Sequence, residues 1–159
     1  GEPAAGWFCI RASFPYLCGG YSIAPYYNMD KKGFTIEVTS RYDGWWRYNA
    51  ALMCGCFDAA ERRIGFASAE STVAAVGAER PADIPADRRA VLETMPCDHL
   101  VLYLYLIPHT LPAGNDIDTT RPFEIELRIS YAGRLLRTER RAINQWSGAS
   151  IELRVESGK

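Results

Sequence analysis

The chain has 159 residues, 48% of them hydrophobic and 23% charged, with a formal net charge of -1. These are ordinary values for one globular domain spanning residues 1–159, and they argue against long-range disorder. The near-neutral balance argues against a general nucleic-acid binder, which carries a strong basic excess, and no apolar run reaches the roughly 18 residues of a membrane span.

Taken in order, residues 7–14 (Trp-Phe-Cys-Ile-Arg-Ala-Ser-Phe) have the composition of a first strand, punctuated by Pro15 and Gly19-Gly20. Residues 21–30 are aromatic and irregular and read as a loop or edge segment. Phe34, Ile36 and Val38 alternate with Thr35, Glu37 and Thr39, the pattern of a half-exposed strand. Asp43-Gly44 signals a turn. From Trp45 to Phe57 a long strand is expected, turning at residues 59–62 into an antiparallel return over 63–68. Residues 69–90 resist assignment, because Pro81 and Pro85 exclude a continuous helix. Asp87 could cap a short helix, but a short strand over 90–94 fits a chain with no other helical period.

Leu100 to Ile107 runs without a charge, Gly or Pro. In a strand Leu100, Leu102, Leu104 and Leu106 share one face, and Val101, Tyr103, Tyr105 and Ile107 the other. Neither face is charged, so this is expected to be a central strand covered on both sides. An acidic-tipped loop follows over 108–118. Residues 123–131 then match a period of two at five consecutive apolar positions, Ala132-Gly133 turns the chain into a strand over 134–143, and residues 149–156 alternate again. Seven or eight strands without a clear helix predict an all-β fold, an antiparallel β-sandwich, with a closed barrel as the second choice.

Chemistry is sparser. Asn115, Asp116 and Asp118 lie on one loop, with Asp30 and Asp43 on others, and hard cations such as Ca2+ take several oxygen ligands of this kind. Residues 28–33 echo the start of an EF-hand loop, but Lys32 at its fifth position and Thr39 at its twelfth stand where carboxylates belong. The strand pattern and the acidic loops, across most of the chain, resemble C2-like and PLAT-like β-sandwich domains of small exported proteins. That resemblance implies a calcium-like cation held by the end loops, an extracytoplasmic location in the periplasm or at the cell surface, and peripheral or lipid-anchored membrane association. The opening residues Gly1 to Gly6 lack a basic region and an apolar core, as expected of a trimmed or mature chain.

A second candidate surface is aromatic. Trp45, Trp46 and Tyr48 follow the Asp-Gly turn, and Tyr103 and Tyr105 stand on the second face of the central strand. Exposed rings of this type stack on sugars or on partner side chains, which points to a glycan or protein ligand. The same rings can instead close the end of a sandwich. The arginines at 134, 137, 140 and 141 offer an anion-binding stripe or a solvated charge ladder.

The five cysteines, at positions 9, 18, 54, 56 and 97, are too few for a disulfide scaffold, and Cys54-Gly-Cys56 has the wrong spacing for a CxxC site. Buried free thiols are expected. Cys97-Asp98-His99 groups three reactive types, but on an extended chain Asp98 points away from the other two. His109 lies at the far end of the strand, and no hydrolase, phosphate-loop or dinucleotide motif is present. The expectation is therefore a non-enzymatic binding domain, or alternatively a structural subunit of a surface assembly whose aromatic edge a partner buries.

Overall fold

A computed structural model describes residues 32–72, 79–112, 117–118 and 120–158. These carry eight strands: β1 (Phe34–Thr39), β2 (Tyr48–Phe57), β3 (Arg63–Ser71), β4 (Ala90–Glu93), β5 (His99–Pro108), β6 (Phe123–Tyr131), β7 (Arg134–Ile143) and β8 (Ala149–Glu156). They form two antiparallel four-stranded sheets, ordered β4-β1-β6-β7 and β3-β2-β5-β8. The expected antiparallel β-sandwich is what the chain adopts. The first expected strand, over 7–14, and the aromatic loop over 21–30 lie outside the described residues.

Alternation decides which side of each sheet is dry. On β5, Leu100, Leu102, Leu104 and Leu106 are buried, and they sit beside Cys56, Cys54, Leu52 and Ala50 of β2. From the opposite sheet, Phe34, Ile36, Val38, Ile125, Leu127 and Ile129 complete the core. β5 is an interior strand, paired with β2 on one side and β8 on the other. Only one of its faces is fully covered, however. Tyr103 is 37% and Ile107 56% exposed, so the expectation of cover on both sides is corrected. An antiparallel sheet needs only one dry face.

Two joints are hairpins, β2–β3 and β6–β7. The second turns through Ala132 (φ 48) and Gly133 (φ 84), the two consecutive left-handed residues that suit a two-residue hairpin loop. The joint between β1 and β2 is different. Asp43–Arg47 is a single 3-10 turn, not the start of a strand, and it carries the chain from one sheet to the other. The segment over 90–94 is the strand β4, paired with β1 and packed across the sandwich against β3 and β2. Cys54, Cys56 and Cys97 are buried free thiols, as expected, whereas Cys9 and Cys18 lie outside the described residues. Hydrogen bonds to Cys56, together with burial, push the Cys54 and Cys97 thiols up, which keeps both protonated.

The leucine row should dominate stability. Leu104→Ala removes a side chain with no exposed surface and is expected to lower the unfolding free energy by about 2–5 kcal/mol. Arg128→Ala, exposed on the outer side of β6, should change it by less than about 0.5 kcal/mol. Urea denaturation of the two variants checks the contrast.

Candidate functional site

The two outer faces of the sandwich differ in chemistry. On the β4-β1-β6-β7 sheet the outer side carries Glu37, Glu124, Glu126, Arg128 and Arg140, and Arg140 reaches Glu126 at 3.4 Å and Glu124 at 3.8 Å. On the β3-β2-β5-β8 sheet the outer side is apolar over its middle. Register places Phe66 beside Gly55, Gly55 beside Val101, and Val101 beside Arg154. The next row runs from Ser68 through Met53 and Tyr103 to Glu152, and the one after from Glu70 through Ala51 and Tyr105 to Ser150. Phe66 is 64% exposed. Phe66, Tyr103 and Ile107, with Ile64 at the β3 bulge, are among the largest exposed apolar side chains of the described residues.

Gly55 and Ala51 leave the floor of this face low. A Cβ at position 55 would lie 3.0 Å from the Phe57 ring, which leans across the glycine. Of the aromatic residues singled out from the sequence, Tyr103 and Tyr105 therefore stand on an accessible face, Tyr103 exposed and Tyr105 half-buried. Phe66 and Ile64 belong to the same face but carried no local signal, whereas alternation had already placed Ile107 beside Tyr103 and Tyr105. Only the pairing of β3 with β2 brings Phe66 within two strands of Tyr103.

Trp45, Trp46 and Tyr48 do not belong to a ligand surface. All three are buried, at 2%, 5% and 1% exposure. The 3-10 turn explains this: residues 45 and 46 are not extended, so they need not point to opposite sides. The Trp45 ring stands 6.3 Å from that of Tyr48 and 6.1 Å from that of Phe123 and closes one end of the core. The Trp45 indole N–H donates to the Arg88 carbonyl. The Arg88 guanidinium donates to the carbonyls of Trp46 (3.0 Å) and Ser71 (2.9 Å). His109 Nε2 lies 2.8 Å from the Trp46 carbonyl and must carry the proton there, leaving Nδ1 to accept from the Thr110 hydroxyl at 2.9 Å.

Beside these rings lies a buried charge. Arg47 is 8% exposed, and among the described residues no carboxylate lies within 4 Å of it. Its guanidinium donates to the Tyr42 hydroxyl and, at 2.7 Å, to Gln145 Oε1, and sits 5.6 Å and 5.9 Å from the Tyr42 and Tyr48 ring centres. Hydrogen bonds and ring faces here take the place of a counter-ion. Tyr42 and Gln145 also line a cleft of about 560 Å³, shared with Arg41, Arg121 and Arg140.

The expected cation loops find little common ground. Asp43 is exposed in the first turn of the 3-10 segment and Asp118 is exposed on its loop. Neither belongs to a metal-sized cluster among the described residues. Asp30, Asn115 and Asp116 lie outside the described residues. Cys97 and His99 do not share a face. A bend at Asp98 turns Cys97 into the core while His99 stacks on Phe57, and the His99 ring reaches Asp98 itself at 3.2 Å.

Burial pushes the Tyr48 phenol up to about 12, partly offset by the Arg47 charge. The unfolded chain gives up this proton near 10 and the folded chain does not. The stability contributed by Tyr48 is thus fully present below pH 10 and is lost as pH rises toward 12. Urea midpoints followed across that interval should fall, and Tyr48→Phe should fall less steeply.

No protein-family model matches the chain, and no curated protein matches it. Among solved structures, the chain is similar to a domain of unknown function, DUF4425, from Bacteroides vulgatus ATCC 8482. The TM-score is 0.42 and the identity 8%, over 79% of this chain and 97% of that one.

Proposed function

We propose that this protein is a non-enzymatic binding domain that holds a protein partner against the outer face of the β3-β2-β5-β8 sheet. The observation that carries this reading is the contiguous row of Phe66, Met53, Tyr103, Tyr105 and Ile107 around the low floor at Gly55 and Ala51. Contiguous exposed apolar surface with a polar rim is characteristic of interaction sites, and aromatic and Met side chains are the types enriched there.

The rim argues for the sign of the partner. Glu70 and Glu152 flank the tyrosines, and Glu61 and Glu156 lie toward the far end, both paired with Arg154. A partner carrying apolar anchors within a basic rim complements this pattern. A glycan ligand is less well served, because Phe66 and Ile107, the most exposed members of the row, provide no hydrogen-bonding group.

Selection of a displayed peptide library on the immobilised chain tests the reading. Enriched sequences should combine aromatic or aliphatic residues with Lys or Arg. A Phe66→Ser, Tyr103→Ser double variant should lose them by at least tenfold while its melting temperature changes little, since both side chains are partly solvated. Binders that tolerate the double variant would overturn the proposal. A homodimer in sedimentation that the same variant dissociates would assign the face to a structural subunit instead.

A further inference from the structure

A second, independent feature lies where the apolar face ends. His99 opens β5 and is 1% exposed, with its ring stacked on that of Phe57 at 5.2 Å and 4°. Carboxylates face both of its nitrogens. On one side, Nδ1 lies 3.2 Å from Asp98 Oδ2 and 3.9 Å from Glu156 Oε2. On the other, Nε2 lies 3.2 Å from Glu61 Oε2 but makes no well-directed hydrogen bond.

A neutral imidazole has one N–H and one lone pair. Whichever nitrogen keeps the proton, the other aims its lone pair at an anion, so the site calls for a second positive charge. The surrounding charges call for it too. Asp98, Glu61 and Glu156 supply three carboxylates, and among the described residues Arg154 is the one guanidinium paired with them, at 2.7 Å to Glu61 and 2.8 Å to Glu156 Oε1.

The two sides are not equivalent. Glu61 already receives two bonds from Arg154, at 2.7 Å and 3.1 Å, and these hold its carboxyl below the usual range. At Nδ1, by contrast, two carboxylate oxygens from different chain positions converge with the ring nitrogen. Glu156 gives its other oxygen to Arg154 and leaves Oε2 directed at the ring. One ligand atom each from Asp98, His99 and Glu156 falls within 4.8 Å of the others. In a tetrahedral zinc site the ligand atoms are roughly 3.3 Å apart, following from metal–ligand bonds of about 2.0–2.1 Å, so closure needs only small side-chain rotations.

We infer that Asp98, His99 Nδ1 and Glu156 bind a divalent transition cation of the zinc class. Glu61 Oε2, 3.2 Å from Nε2, would accept a hydrogen bond from the Nε2–H once the ring turns onto the metal. One nitrogen and two carboxylate ligands suit zinc or manganese better than calcium, whose sites are built from oxygen alone. A carboxylate on the second nitrogen is the usual outer support of a metal-bound histidine. Asp98 and Glu156 remain 38% and 58% exposed on their side chains, so water can reach the site and complete the coordination.

The test uses the full chain, stripped with chelator and titrated with ZnCl2 and with CoCl2. One equivalent should bind and raise the melting temperature. The cobalt form should show visible d–d bands without the charge-transfer absorption of a thiolate ligand, which separates this site from the cysteines. Glu156→Gln alters a side chain at the surface and should fold normally, yet weaken zinc at least tenfold. Glu61→Gln should weaken it by about tenfold. Zinc affinity unchanged in Glu156→Gln, a thiolate band, or no binding at all would each overturn the inference. Peptide binding at Phe66 and Tyr103 can succeed or fail independently of all these results.

Discussion

The structure depends on the leucine face of β5. Four leucines at every second position all lie at 0–1% exposure, each paired across β2 with a buried residue. Burying one such side chain is worth about 1.5–3 kcal/mol. A slip of one residue would exchange this row for Val101, Tyr103, Tyr105 and Ile107, and the cost of that exchange sets the register of β2 and β8 on either side. Everything on the outer face is positioned as a consequence. Tyr103 falls between Met53 and Glu152, and His99 falls opposite Glu156, on the face that the inward leucines leave outermost.

The edges follow a related logic. β7 closes one sheet, and register places Arg141, Glu139 and Arg137 on the same side as Ile125, Leu127 and Ile129. Charges turned inward on an edge strand discourage another strand from adding there. Glu139 lies between its two arginines, 2.6 Å from Arg141, so the charged stripe is an ion-paired ladder along the strand. At the end of the core, the turn over 144–148 is held by Asn144 Oδ1, which accepts from the backbone N–H groups of Trp146 and Ser147. Gly148 there has φ 67, and a Cβ would stand 1.9 Å from the Leu106 carbonyl oxygen, so the turn is locked onto the same central strand.

That turn also supplies Gln145, which ties Tyr42, Arg47 and Tyr48 to the end of the core. Its side-chain oxygen accepts from Arg47 and from the Tyr42 hydroxyl at 2.9 Å, and its backbone carbonyl accepts from Tyr48 at 2.7 Å. Arg47 commits its Nη2 donors to this network and lays its guanidinium near the Tyr42 and Tyr48 rings, while its buried Nε has no hydrogen-bond partner among the described residues. This network accounts for how the aromatic run after Asp43-Gly44 became interior, and for why Trp45, Trp46 and Tyr48 are unavailable to a ligand.

Much of the strand pattern was legible in residue order. The alternation at 34–39, 123–131 and 149–156 is a local signal of period two, and each became a strand with its apolar side inward, while the unbroken run at 100–107 became a strand with only its leucine face fully covered. Short-range chemistry likewise marked the Ala132-Gly133 hairpin and the buried free thiols. The 3-10 turn at Asp43–Arg47 was not legible, because Trp and Tyr favour strands by composition and only the crossing between sheets bends them. Of the two outer-face features, alternation marked only the Tyr103 and Tyr105 side of the central strand, and the partners from other strands could not be read locally. Phe66 meets the Tyr103 face through two strand pairings, and His99 meets Glu61 and Glu156 across separations of 38 and 57 positions. Where charged and apolar residues alternate along one strand, residue order alone settled which side chains leave water, but on the two-sided apolar run of β5 and in the Trp45–Tyr48 stretch it did not. The tertiary structure decided which of the remaining ones stand together, since that depends on register between strands distant in the chain.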